Sequence, residues 1–120
     1  MGIFKTNLVA VNPADPQLVT PQIEMLVDTG SELTWLPSGF LEKISIKPVR
    51  KRSFQTATTQ IVEREVGYAV LRSEGFETID EVVFGLPGDI MLLGARTLEG
   101  FGVMVDNLGK RFVATTTIVA

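Results

Sequence analysis

The sequence predicts an all-β domain, a small closed β-barrel with one or two short helices, and three observations carry that prediction. Apolar residues recur mostly with period two, as half-buried strands require. Gly, Pro, Asn and Asp gather between the alternating runs, where a chain turns. Only two stretches, both short, place apolar residues at helical spacing.

Residues 2–11 (GIFKTNLVAV) form the first expected strand, ended by Asn12, Pro13 and Pro16. Gln22 to Val27 alternates, with Ile23, Met25 and Val27 on one face and Gln22, Glu24 and Leu26 on the other. Asp28-Thr29-Gly30 closes that strand, and Leu33 to Leu36 resumes extended structure. Pro37 sits where a helix begins, and Phe40, Leu41 and Ile44 share one helical face. Residues 53–72 read as a long hairpin, with Val62, Val66, Tyr68 and Val70 on one face and Thr56 to Gln60 as its turn. Thr78 to Phe84 alternates again, and Gly85, Pro87 and Gly88 break it. The continuous apolar run Ile90 to Leu93 predicts a strand buried on both faces. A helix over Ala95 to Glu99 is stopped by Gly100 and Gly102. Val103 to Val105, the turn Asp106 to Gly109, and Arg111 to Val119 close the chain as a hairpin. The sum is about seven strands and two short helices.

Composition narrows the chemistry. A chain of 120 residues supports one domain, 1–120, and buries roughly two thirds of its unfolded surface. It holds no Cys and no His, which removes disulfides, thiolate and imidazole zinc sites, cysteine nucleophiles and His-dependent triads. No metal and no cofactor are expected. The net charge of -3 argues against a phosphate-gripping domain, so no nucleic-acid partner is expected. The basic run Lys47 to Arg52 reads as a solvated loop. No apolar stretch approaches the ~20 residues that span a bilayer, so no membrane partner is expected either. The start MGIFKT fits the loose myristoylation pattern through Gly2 and Thr6, but a first strand accounts for the same residues. A soluble, cytoplasmic protein is the expectation.

With no His or Cys, carboxylates lead the candidates for acid–base work. Glu24, Glu63, Glu65, Glu74, Glu77 and Asp80 fall at alternating positions expected to face water. Asp28 stands apart: an apolar strand precedes it, and a hydroxyl, a glycine and a second hydroxyl follow. An Asx turn at a strand end accounts for the tripeptide alone. One internal echo bears on the choice. Met25-Leu26-Val27-Asp28-Thr29-Gly30 and Met91-Leu92-Leu93-Gly94 both run three apolar residues into a Gly-containing break, 66 positions apart.

The segment MLVDTGSELTWLP resembles the active-site segment of retropepsin-like (retroviral-type) aspartic proteases. LLGARTLEGFGVMVD (92–106) resembles that family's second signature, and the hairpin between the two stands where the family has its flap. Trp35 to Val49 looks like bacterial members, so the expectation is a bacterial or archaeal-type single-domain member, with the likeness covering about residues 20 to 113.

The resemblance implies an aspartic endopeptidase acting on extended peptide or protein substrates. Two carboxylates face each other there, and like charges ~3 Å apart cannot both ionise, so one serves as acid and one as base. This chain holds a single Asp-Thr-Gly, with Gly94 where the echo would need an Asp. The resemblance therefore implies a two-fold symmetric homodimer with Asp28 contributed by each chain. Thr29 would bond across the dimer and Gly30 would accept substrate backbone hydrogen bonds. Ser31 would donate to the outer Asp28 oxygen and set a more acidic working range. Glu32 would pair with Arg96 or lie at the surface. Trp35, Ile90 and Leu92 would wall the substrate pocket or join the core, and Thr58 at the flap tip would meet substrate. Leu93, Gly94 and Arg96 belong to the structural second signature. Family flaps are glycine-rich, whereas Thr56 to Gln60 has no glycine, which implies a stiffer flap or an idle member serving as a dimerisation or peptide-binding module. An unrelated ligand-binding barrel would require both signatures to be coincidental.

Overall fold

In the computed structural model, residues 4–116, 118 and 119 are described. The Gly2 pattern and the first residues of the expected 2–11 strand lie outside them, as does residue 117 of the expected last strand. Strands β1 (Lys5–Asn12), β2 (Asp15–Val19), β3 (Ile23–Val27) and β4 (Thr34–Pro37) lead to helix α1 (Ser38–Lys43). Strands β5 (Arg50–Gln55), β6 (Ile61–Ser73), β7 (Phe76–Gly85) and β8 (Leu92–Leu93) follow. Helix α2 (Ala95–Phe101) and strands β9 (Val103–Asp106) and β10 (Arg111–Ala114) end the fold.

Eight strands form one nearly closed, barrel-shaped sheet in the order β4-β7-β6-β1-β3-β8, with β2 added to β1 and β5 to β6. β9 and β10 pair separately. Most neighbours are antiparallel, but β3 and β8 run parallel, as do β4 and β7. The barrel core gathers Leu8, Met25, Leu36, Leu71, Val82 and Leu93 with the buried faces of both helices. A second, smaller cluster of Leu33, Val66 and Val83, with Trp35 and Phe54 against it, lies on the opposite side of β4, β7 and β6. Alternation explains the split: Val82 and Phe84 enter the barrel, and Val83 between them points the other way.

Several expectations change here. The strand buried on both faces is β7, where Asp80 to Gly85 are all buried, and not Ile90 to Leu93. Of that apolar run only Leu92 and Leu93 form a strand, and Ile90 is exposed. Tyr68 is exposed too, because each face of β6 is covered over a different stretch. Before Val66 the even-numbered side chains are the covered ones; beyond Gly67 the odd-numbered Ala69 and Leu71 fill the barrel. β2 forms where only a break was expected, with Pro16 tolerated on this added edge strand. Helix α2 runs through Gly100, which must be small because a Cβ there would strike Thr78 of β7. Gly102 alone ends α2, in the left-handed conformation at φ 74°. The closing hairpin turns where expected, but its last strand stops at Ala114. Among the described residues no helix is long and apolar enough to cross a membrane.

Candidate active site

The sequence echo is also a spatial one. β3 and β8 pair in parallel with Leu26 opposite Leu92 and Val27 opposite Leu93, the same offset of 66. Backbone bonds extend the match: Leu26 N–H donates to Met91 O and Asp28 N–H to Leu93 O, each at 3.0 Å. Asp28 therefore leaves β3 with its backbone held by the second signature. Its Oδ1 accepts the Gly30 N–H at 2.9 Å, and its carbonyl accepts the Ser31 N–H at 3.2 Å. The Asx turn and the Asp-Thr-Gly loop are thus one structure, with Asp28 half-buried and Thr29 and Gly30 exposed. A Cβ on Gly30 would sit 3.2 Å from Asp28 Oδ1, so this position crowds the carboxylate if enlarged.

The second signature holds the loop from behind. Ala95 and Arg96 N–H donate to the Ser31 and Glu32 carbonyls at 2.7 and 3.0 Å. Gly94 N–H donates to Thr34 Oγ1 at 3.0 Å, Thr34 and Thr97 hydroxyls meet at 2.6 Å, and Thr97 Oγ1 donates to Asp80 Oδ2 at 3.1 Å. Each hydroxyl has one proton. Thr97 spends its proton on Asp80, so Thr34 is the donor between the two threonines, and the chain of bonds runs one way from Gly94 to the Asp80 carboxylate. Thr34 and Thr97 are fully buried. Gly94 must lack a side chain, because a Cβ would collide with the Leu33 and Ser31 carbonyls.

Three polar expectations are corrected. The Ser31 hydroxyl donates to Leu33 O at 2.8 Å and not to Asp28, because the turn folds it back along the chain; the stated reason for a more acidic working range falls away. The pairing of Glu32 with Arg96 is replaced by the surface alternative: the exposed Glu32 carboxylate lies 3.6 Å from Arg52, and Arg96, which meets Glu32 through backbone only, faces Asp80 and Glu81 at 3.7 and 3.5 Å. Asp80 is buried and not solvated, since α2 covers the end of β7. In the basic run, Lys47 to Val49 form an exposed loop as expected, whereas Arg50 to Arg52 belong to β5. Its Arg50 and Arg52 each donate to Glu81 at 2.9 Å, a carboxylate only 3 % exposed. A buried carboxylate needs such partners.

Above Asp28 lies a groove of about 770 Å³. Asp28, Gly30, Ser31, Glu32, Trp35, Ile90 and Leu92 all line it. Ile90, 65 % exposed, is a groove wall and no part of the core. Leu93, Gly94 and Arg96 stand behind the floor, while Thr29 and Thr58 lie off the lining. The roof is the β5–β6 hairpin, contributing Phe54, Thr56 and Ala57, with the Phe54 ring edge-on to Trp35 at 5.1 Å between centroids. Its tip closes through Thr56 N–H to Gln60 O at 2.8 Å, and Thr59 takes the left-handed conformation at φ 65° that glycine adopts more easily. Sequence reasoning missed Arg52, Phe54, Arg64 and Asp89. Phe54 and Arg64 had a legible signal, since both share the period-two face that carries Val62.

No protein-family model matches the chain. No curated protein matches it. Solved structures do match. The solution structure of Simian foamy virus (mac) protease aligns over 80 % of this chain and 92 % of its own, at 19 % identity and a TM-score of 0.55. A foamy viral protease–reverse transcriptase in complex with double-stranded DNA aligns over 78 % of this chain at 19 % identity and a TM-score of 0.54. The same kind of protein in complex with an RNA/DNA hybrid aligns over 95 %, at 17 % identity and 0.51. The present chain spans 15 % and 13 % of those two longer chains. The fold is the retropepsin-like fold of these viral protease domains.

Proposed function

We propose that this chain is an aspartic endopeptidase, a single retropepsin-like domain over residues 1–120, of the bacterial or archaeal single-domain type and active as a homodimer. One observation carries the reading: the only Asp-Thr-Gly begins at a half-buried Asp28 that lines the groove, with its backbone held by the second signature. One chain supplies one carboxyl, and amide hydrolysis by this route needs two. In the dimer, Asp28 and the partner's Asp28 share one proton and one water. The ionised carboxylate takes a proton from water as its oxygen attacks the amide carbonyl; the protonated carboxyl gives its proton toward the leaving nitrogen, and the C–N bond breaks. In this reading Thr29, exposed at the turn, bonds across the dimer, and Gly30 accepts from the substrate backbone. Trp35, Ile90 and Leu92 offer apolar walls for side chains of an extended peptide.

The competing reading is an idle peptide-binding or dimerisation module, favoured by the glycine-free flap tip. The test is digestion of a diverse unstructured peptide pool between about pH 4 and 7, read by mass spectrometry, for wild type and Asp28→Asn. Cuts present in wild type and absent in the variant are the expected result. Identical digests from both would overturn the assignment of Asp28, and silence from both would favour the idle module.

A further inference from the structure

Two charged residues of the groove have no place in that chemistry, Arg64 on the roof and Asp89 on the floor. Arg64 Nε donates to Asp89 Oδ2 at 2.8 Å and Nη2 to Oδ1 at 3.0 Å, a two-pronged pair whose side chains are 17 % and 18 % exposed. Asp89 does more than receive the arginine. Its Oδ2 accepts the Leu86 N–H at 2.8 Å, and its N–H donates to Leu86 O at 2.9 Å, closing the loop that precedes Ile90. The carboxylate that shapes this loop is therefore the one that grips the roof.

The position of Arg64 along β6 gives the pair its meaning. From Ile61 to Glu65, β6 is hydrogen-bonded to β5, and its pairing with β7 starts at Val66. Arg64 stands just where the hairpin departs from the barrel. On the other arm the same job falls to Arg52, bound to Glu81 and near Glu32. A shielded, bidentate arginine–carboxylate pair holds both distance and orientation.

We propose that Arg64 and Asp89 are positioning residues that make the roof strand and the Ile90 wall one body, and so set the fit of the apolar substrate side chain lodged against Ile90. The inference rests on the peptidase reading for its substrate but not for its mechanics. The Asp89 carboxyl is held below the ordinary carboxylate range, first by the Arg64 hydrogen bonds, so the pair persists across mildly acidic conditions.

Two measurements on the full chain test it. Arg64→Met, which keeps the length of the side chain, is expected to speed amide exchange of Leu86, Asp89 and Ile61 to Glu65 together by roughly tenfold, with β1 unchanged. Arg64→Lys recovers only part, because it keeps the charge and loses the fork. Protection retained at Leu86 and Asp89 in a folded Arg64→Met protein overturns the proposal, whether or not the chain cleaves peptides. In cleavage assays, Arg64→Met raises KM about threefold or more with kcat within about twofold, and flattens discrimination among peptides varied at the residue facing Ile90. Adding Ile90→Ala to Arg64→Met then costs little further discrimination; additive losses overturn the coupling. Loss of Asp28-dependent cleavage in wild type itself would sink the peptidase reading and leave the exchange result to decide this one.

Discussion

The two echoed segments, Met25 to Gly30 and Met91 to Gly94, share a parallel register and part in chemistry where the apolar run ends. Asp28 ends the first, and Gly94 ends the second at the place an aspartate would hold. Asp28 opens into a turn that leaves its carboxylate facing a groove. Gly94 instead starts α2, wedged against the Leu33 and Ser31 carbonyls, and hands its N–H to the buried threonines. The difference teaches a division of labour. One copy presents a carboxylate to the groove and the other is packed too tightly to present one, so the proposed mechanism draws its second carboxylate from a partner chain.

Breaking the packed copy should cost the most stability. Gly94→Ala is expected to destabilise by about 1–3 kcal/mol or more, because the obstructing atoms are backbone carbonyls that cannot rotate aside; urea midpoints measure it. A variant as stable as wild type would show that the two copies are interchangeable after all. Next comes the polar chain behind the loop. Thr97→Val leaves the Thr34 hydroxyl without its acceptor and takes the Thr97 donor from Asp80 Oδ2, and should cost about 1–3 kcal/mol in the same assay.

The smallest effect sharpens the contrast between floor and roof. Asp89 is held below the ordinary carboxylate range, chiefly by Arg64 and with help from the Leu86 N–H. Its folded-state affinity for protons is thus lower than its unfolded one. The stability it contributes is fully present above the unfolded value of about 3.9 and is lost as pH falls through the depressed folded value. Unfolding curves across that acid range should steepen for wild type and flatten for Asp89→Asn. Equal slopes would remove the floor-to-roof pair from the account.

Much of this site was legible because its signals are local. Asp-Thr-Gly after an apolar strand, the echo 66 residues on, and the tip at Thr56 to Gln60 all stand in the sequence as contiguous patterns. What stayed hidden depends on what covers a face. An apolar run such as Ile90 to Leu93 reads alike for a core strand and a groove wall, and only the loop at Asp89 turns Ile90 outward. Tyr68 keeps the alternation that Val66 begins, yet the cover on that face ends between them. The sequence offered the Ser31 hydroxyl more than one neighbouring acceptor, and the turn directs it to Leu33 O. Charge partners were the least legible, since Arg50 and Arg52 find Glu81 across three strands.

The central claim is that two copies of Asp28 share one site, and mixing tests it most directly. Wild type is allowed to exchange subunits with an equal amount of Asp28→Asn and assayed against the same amount of wild type alone. A shared site predicts that activity falls to roughly half, because random pairing leaves only about a quarter of dimers with both carboxylates. Activity undiminished by the variant, at concentrations where the subunits have exchanged, would contradict the account.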